Sequence, residues 1–279
     1  MPDSGLELLQ FPHSHFNEKA RWALDWKQRP HRRTNLLPGP HAGRIRKLAP
    51  ATTVPLLVVD GQAIQGSARI IDELERRYPE PALYPADPLL RERALEIQRW
   101  FDEDVGAPVR QALFSHLIRE GGYVCRMFGE GHNLPTRLLY RAMFPVARAK
   151  ISKAYRFDEP EVVEAAFART REGLDFVAKE AGPEGYLVGD CFSVADLTAA
   201  ALLSVTCNPP DCAMTRPEPM PAGVLEWQAR WAQHPGVAWV LRTYREQRPP
   251  SQAQGSAGWR PHRGKPQACR GGRAAIAGR

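Results

Sequence analysis

No stretch of the 279-residue chain approaches the roughly 20 consecutive apolar residues that a membrane-spanning helix requires. The first ten residues, MPDSGLELLQ, hold no basic cluster followed by an apolar core, so no secretory signal is expected there. Cysteine is sparse. Its five copies, at 125, 191, 207, 212 and 269, are scattered, and only Cys207 and Cys212 stand close, as C-x4-C. With no second pair and no histidine cluster nearby, no metal site is expected, and the pattern suits a reducing, cytoplasmic protein. Acidic residues are missing from one region altogether. From Arg248 to Arg279 there are six Arg and one Lys but no Asp or Glu. Removing those seven from the 38 basic residues leaves 31, against 31 acidic ones. The formal charge of +7 therefore belongs to the tail, and the body is neutral. The basic pI says nothing of a nucleic-acid-binding core. The tail is rich in Gly, Pro, Ala and Arg and poor in large apolar residues, a composition that cannot order itself. Residues 248–279 are expected to be a solvated, dispensable extension that meets nucleic acid only weakly.

The body holds enough apolar residues for two domains and a sizeable core. GLELLQF (5–11) reads as a short buried strand. Phe16, Ala20, Ala23 and Leu24 then recur at helical spacing, giving a helix over about 15–27. RRTNLL (32–37) is strand-like, and a short helix is expected around 42–48. PLLVV (55–59) and QAI (62–64) flank Asp60-Gly61, which suits the tight turn of a hairpin. SARIIDELERRY (67–78) is an amphipathic helix that stops at Pro79. The order β-α-β-α-β-β-α implies a sheet covered by helices. The proline-punctuated stretch from 81 to 90 marks a linker. Beyond it, helical patterns at 89–104, 107–120, 135–156, 160–181, 193–205 and 221–246 imply an all-helical domain over 91–247.

Three short stretches carry candidate chemistry. In FPHSHFNEKARWAL (11–24), Ser14 stands at the mouth of a helix between two histidines. A hydroxyl there either caps the helix or joins the helix dipole in holding an anion, such as a thiolate. In ATTVPLLVVDG, Val54-Pro55 precedes a strand. A trans bond is purely structural there, and a cis bond turns the Val54 backbone outward as an edge for a ligand. In IQGSARII, Ser67 opens a helix as a cap, or offers its hydroxyl and N–H to a carboxylate.

In this order and spacing the three stretches resemble the thioredoxin-like N-terminal domain of cytosolic glutathione transferases. The match rests on Ser-x-x-x-x-x-Ala-Arg-x-Ala-Leu (Ser14 to Leu24), Val54-Pro55 before a strand, and Gly66-Ser67-x-x-Ile-Ile opening a helix. A fourth pattern, EGYLVGDCFSVADLTAAALL (184–203), is similar to the start of that family's central buried helix. Ser193 and Asp196 form a capping box there, with Phe192 and Leu197 at the staple positions. The resemblance spans about 1–247. It implies an α/β thioredoxin-like N-terminal domain (1–80), a linker (81–90), an all-α C-terminal domain (91–247) and a tail (248–279). It assigns Asp196 to folding.

The same resemblance implies site roles. Ser14 would donate a hydrogen bond to the sulfur of glutathione and, with the helix dipole, stabilise its thiolate. The Val54 backbone, beside Pro55, would pair with the cysteinyl part of the tripeptide. Ser67 would hold the γ-glutamyl carboxylate. Gly66 departs from the acidic or Gln residue usual before that serine, leaving its N–H as the expected contact, with Gln65 one residue displaced. Arg44, Arg46 and Lys47 are candidate partners of the glycyl carboxylate, and the basic run 28–33 reads as a solvated face. Ser-His-Phe-Asn at 14–17 places no thiol where a redox pair would stand. That points to a transferase joining the glutathione thiol, as co-substrate, to a small hydrophobic electrophile. The alternative is a glutathione-binding or interaction scaffold with little catalysis. His13 and His15 are expected as partly exposed loop residues, Trp22 and Trp26 as packing. Tyr123, Met127 and Phe128 are candidate walls of an apolar site, with core packing the commoner use. A homodimer is expected by analogy.

Overall fold

A computed structural model describes residues 5–214 and 216–254. The remainder of the expected tail, 255–279, lies outside the described residues. The N-terminal domain is built from β1 (Glu7–Gln10), α1 (His15–Trp26), β2 (Arg32–Asn35), α2 (His41–Ile45), β3 (Leu56–Val59), β4 (Gln62–Gln65) and α3 (Ser67–Arg77). The strands form one sheet in the order β2-β1-β3-β4. β1 runs parallel to β2 and antiparallel to β3, and β3 pairs antiparallel with β4. Asp60 and Gly61 both take positive φ, 49° and 77°, as a primed hairpin turn demands.

The register fixes which motifs meet. Leu9 lies opposite Leu56, and Leu56 opposite Gln65. The C-terminal end of β1, the start of β3 and the end of β4 therefore share one end of the sheet. The Ser14 turn, Val54-Pro55 and Gly66-Ser67 emerge there, although more than 50 residues separate the first from the last.

The helical domain comprises α4 (Pro88–Trp100), α5 (Gly106–Leu117), α6 (Gly121–Gly129), α7 (Leu134–Tyr155), α8 (Pro160–Glu180), α9 (Val194–Leu203), α10 (Ala222–Ala229) and α11 (Pro235–Gln247). A π-helical turn at Phe101–Val105 joins α4 to α5, so the expected 89–104 helix keeps its length but changes its winding. The helix expected over 221–246 is two. His234 and Pro235 break it, and the His234 Nδ1 accepts from the Gly236 N–H as a new cap (3.1 Å). α6 falls where the sequence shows only loose patterning. No helix among the described residues is long and apolar enough to cross a membrane.

α9 is buried over its whole length. Its start forms the expected capping box, with Asp196 Oδ2 accepting from the Ser193 N–H (2.9 Å) and Oδ1 accepting from the Leu187 N–H (2.8 Å). Asp196 thus ties a loop to a helix end in the interior. The two domains meet along α1 and α9. Trp22 and Trp26, both essentially sealed, pack on Phe192 with ring centroids 5.7 and 4.7 Å apart. The linker is clamped as well: Leu83 O accepts from Val194 N (2.8 Å), and Lys27 Nζ donates to Pro81 O (2.7 Å).

Residues 248–254 correct the expectation of a dispensable tail. The Arg248 side chain is only 2% exposed and reaches both Glu18 and Asp25 on α1, at 2.9 Å each. Gln252 N donates to Asp25 Oδ1 (2.7 Å), and Ala253 bridges His31 in parallel. The basic run 28–33 is likewise not a solvated face throughout. His31 is buried, and Arg33 pairs with Asp25 at 2.9 Å.

Candidate active site

Ser14 has an extended backbone (φ −102°, ψ 127°) immediately before α1, and its C=O accepts the first helical bond, from Glu18 N at 2.9 Å. Its side chain does not cap the helix. Ser14 instead lines a cavity of about 790 Å³ between the N-terminal domain and α5, α6 and α7, and its hydroxyl has no hydrogen-bond partner among the described residues. The unpaired N–H groups of the first turn and the positive dipole end lie beside it. The cap reading therefore fails at Ser14, and the hydroxyl is available.

The ring of His15 packs into the protein at the cavity's edge. It is buried, and its Nε2 lies 2.8 Å from the Gly106 carbonyl. Burial, helped by the nearby Arg110 charge, drives its pKa down to about 3, so the ring is neutral and donates to that carbonyl. α5 can come this close because residue 106 is glycine. A Cβ there would stand 2.7 Å from the Phe16 ring and 3.1 Å from the Phe101 carbonyl. His13, expected to be partly exposed, has intermediate exposure as a residue but an enclosed side chain. Its side chain is 4% exposed, and its Nε2 lies 2.7 Å from the Met127 carbonyl. The two histidines tie the Ser14 turn to α5 and α6, one on each side.

Val54-Pro55 is a cis peptide. Neither the N–H nor the C=O of Val54 has a backbone partner among the described residues. Gln65 Nε2 donates to the carbonyls of Ala51 and Thr53, both at 2.8 Å, and so braces the segment that leads into Val54. Gly66 takes φ 97° and ψ 139°, a backbone conformation that disfavours side chains. Its N–H is already bound to Pro55 O at 3.0 Å, so the expected free donor at Gly66 is spent. The glycine shapes the corner. Ser67, nearly buried at the start of α3, makes no side-chain cap, and its hydroxyl is not sealed from solvent. Arg44 is engaged with Glu7 (3.2 Å), whereas Arg46 and Lys47 are exposed without an ion partner among the described residues.

The cavity walls are mostly apolar: Phe11, Leu113, Phe114, Phe128, Phe144 and Ile151 supply much of the surface. Of the three aromatic or sulfur side chains proposed as walls from sequence, only Phe128 lines it. Tyr123 and Met127 are buried beside it. His41, Arg110, Tyr140, Lys150 and Tyr155 also face the cavity. None had a local motif to announce it, because α5 and α7 reach Ser14 only through the tertiary fold. Among the described residues, no set of His, Cys, Asp and Glu gathers to hold a metal. Cys212 is buried and Cys207 largely so, and burial pushes their thiols up to about 11 and about 12, so neither is a ready nucleophile.

Parts of this chain match known protein families. Residues 8–82 match the glutathione S-transferase N-terminal domain, and residues 160–205 match the glutathione S-transferase C-terminal domain. A probable maleylacetoacetate isomerase of Caenorhabditis elegans is 43% identical over 54 residues, 19% of this chain and 25% of that protein. Maleylacetoacetate isomerase of Pseudomonas aeruginosa is 39% identical over 77 residues, 27% of this chain and 36% of that protein. The matched stretches thus span about a quarter to a third of these relatives. Among solved structures, a glutathione S-transferase from Methylobacterium radiotolerans in complex with glutathione sulfonate superposes with a TM-score of 0.54. It is 20% identical, and the match covers 85% of this chain and 88% of that one. At that identity the likeness is one of fold.

Proposed function

Because the chain belongs to the cytosolic glutathione transferase superfamily, class unassigned, we propose that it binds glutathione at the shared end of the sheet and activates its thiol for attack on an electrophile. The observation that carries this reading is Ser14, which lines the 790 Å³ cavity and whose hydroxyl is not used to cap α1. The fold relative with bound glutathione sulfonate supports the choice of ligand.

In this reading the Val54 backbone, next to Pro55, pairs with the cysteinyl part of glutathione. Gln65 holds that segment in place. The Ser67 hydroxyl and the start of α3 receive the γ-glutamyl carboxylate. Gly66 acts by setting the backbone and donates nothing itself. Arg46 or Lys47 meets the glycyl carboxylate. Ser14 donates its hydroxyl hydrogen bond to the sulfur, and the first turn of α1 adds its dipole. Both favour the thiolate over the thiol. Each pKa unit gained corresponds to about 1.4 kcal/mol of differential stabilisation. Serine stabilises the anion and removes no proton from it. The thiolate lone pair then forms a C–S bond to the electrophile, and the displaced group leaves with the electron pair. The protein would act in the cytoplasm as a homodimer.

The two relatives named as isomerases support a second outcome of the same first step. The thiolate adds to an unsaturated carbon, the former double bond rotates, and elimination returns glutathione unchanged. Glutathione consumption separates the two.

The test is calorimetric titration of glutathione into the wild type and Ser14→Ala, with thiolate absorbance followed against pH in each complex. The expected result is binding by both, with the thiol ionising at lower pH in the wild type. Absence of binding at millimolar glutathione would overturn the proposal and leave a scaffold.

A further inference from the structure

We propose that Arg110 is an anion-binding subsite, and that the second substrate is an amphipathic acid whose carboxylate meets Arg110 while its apolar body fills the cavity. This rests on the transferase reading, in which the cavity beside Ser14 would receive the electrophile, but its evidence is independent of glutathione.

Arg110 lies on α5 and faces the same cavity as Ser14. It has no ion pair and no hydrogen bond among the described residues. Its Nε is sealed without a partner, whereas its terminal nitrogens are neither paired nor sealed. The guanidinium is held between two rings, 5.9 Å from the Phe16 centroid and 5.5 Å from that of Tyr155. These contacts fix a planar fork but leave its in-plane donors for a carboxylate. A half-buried cation with free donors in an apolar pocket is poised for an anion, because desolvation strengthens the pair that forms.

The other polar groups of the lining do not compete. Among the described residues, no Asp or Glu lines the cavity. His15 is neutral, as shown above. His41 accepts from Gly39 N at Nδ1 (3.0 Å) and so donates from Nε2 to Thr52 O (2.9 Å), which also leaves it neutral. Burial lowers its pKa further. Arg110 and Lys150 are the Arg and Lys of the lining, both positive, and Lys150 is exposed on α7; His13, also in the lining, is tied through Nε2 to the Met127 carbonyl at 2.7 Å. The volume of about 790 Å³ and the aromatic walls suit a body the size of one or two rings.

The probes are 4-phenylbutyrate and 4-phenylbutyramide, which share a body and differ in charge, titrated into the full-length protein without glutathione. The acid is expected to bind about tenfold more tightly than the amide, the worth of a charge-assisted contact. Arg110→Met should erase that preference and leave amide affinity intact, while Arg110→Lys retains part of it. Amide binding by Arg110→Met also reports that the cavity has kept its shape. Lys150→Met should reduce the preference by less than threefold. Equal binding of acid and amide by the wild type overturns the proposal, as does a preference that survives Arg110→Met. Because glutathione is absent, a failed acid preference with intact glutathione binding refutes only this inference. The reverse pair of results refutes only the transferase reading.

Discussion

Replacing Arg248 by Ala removes a guanidinium sealed between two carboxylates that are themselves fully buried. Glu18 and Asp25 each lie 2.9 Å from it. The cluster also contains Arg21, at 2.7 Å from Glu18, and Arg33, at 2.9 Å from Asp25. Three guanidiniums therefore face two carboxylates. Burial, against the pull of Asp25 and helped by the charges of Arg21 and Arg248, brings Arg33 down to about 10. Arg248 shows the opposite balance. Burial works to lower its pKa, but Glu18 and then Asp25 hold it above the ordinary value. Without Arg248, the remaining charges balance two against two, so no naked charge is left. What is lost is a pair of charge-assisted contacts, worth about 1.5–3 kcal/mol each, together with packing over the Trp22 ring 5.5 Å away. The expected destabilisation is about 3–6 kcal/mol, the sum of the two contacts, and a large share of a typical total of about 5–15 kcal/mol. Urea unfolding followed by tryptophan fluorescence reads it, since Trp22 reports on this contact. A chain ending at Gln247 should lose at least as much, because it also loses the Gln252 N–H bond to Asp25. A chain ending at Gln254 keeps all of these contacts and serves as reference. A shift below about 1 kcal/mol at unchanged slope would refute the reasoning and return 248–254 to the status of a dispensable extension.

Other consequences are open to measurement. His15 and His31 are held down at about 3 and about 4, both chiefly by burial, so the folded state keeps them neutral while the unfolded chain takes up protons near 6.5. Their contribution is present above that value and is lost as pH falls towards their folded values, at about 2 kcal/mol each between pH 7 and 5. Asp196, pushed up to about 6 by burial despite its hydrogen bonds, works the other way and returns about 1 kcal/mol over the same interval. Unfolding free energies from urea titrations at pH 7 and 5 should therefore differ by about 2–3 kcal/mol, with pH 7 the more stable. Asp196→Ala orphans the Leu187 and Ser193 N–H groups in the interior and should cost about 3–5 kcal/mol in the same assay, without the pH 6 component. Gly106→Ala places a methyl 2.7 Å from the Phe16 ring, forcing α5 away from α1. It should weaken binding of cavity ligands about tenfold in fluorescence titrations while glutathione affinity changes less than threefold, an overpacking cost of about 1–3 kcal/mol.

The parts of the fold legible in the sequence are those whose signals are local. The hairpin turn is written in Asp60-Gly61, the α9 start in Ser193 and Asp196, and the amphipathic α3 in its own spacing. The break at Pro235 was as local as these, yet the apolar pattern of 221–246 runs across it. Ser14 was legible as a residue, but its function depended on whether its hydroxyl caps α1. That is a question of side-chain geometry, which the order of residues leaves open.

Arg110 and Arg248 show where local signals end. Each sits in an unremarkable stretch, one in a helix and one at the edge of a basic, proline-rich tail. Each becomes informative only through partners far along the chain: Arg110 with Phe16 and Tyr155, Arg248 with Glu18 and Asp25. Composition assigned Arg248 to solvent because it averages over neighbours in sequence. Burial is decided by neighbours in space, and α1 offers two carboxylates that could not stay buried without cations. The acidic residues of α1 were themselves a clue. Glu18 and Asp25, seven residues apart, occupy one face of a helix that also carries Trp22. A helix with apolar and charged residues so mixed must either stay in water or find buried counter-charges. The surplus of arginine at 21, 33 and 248 is how this chain resolves that demand, and it fixes the helix whose first turn presents Ser14.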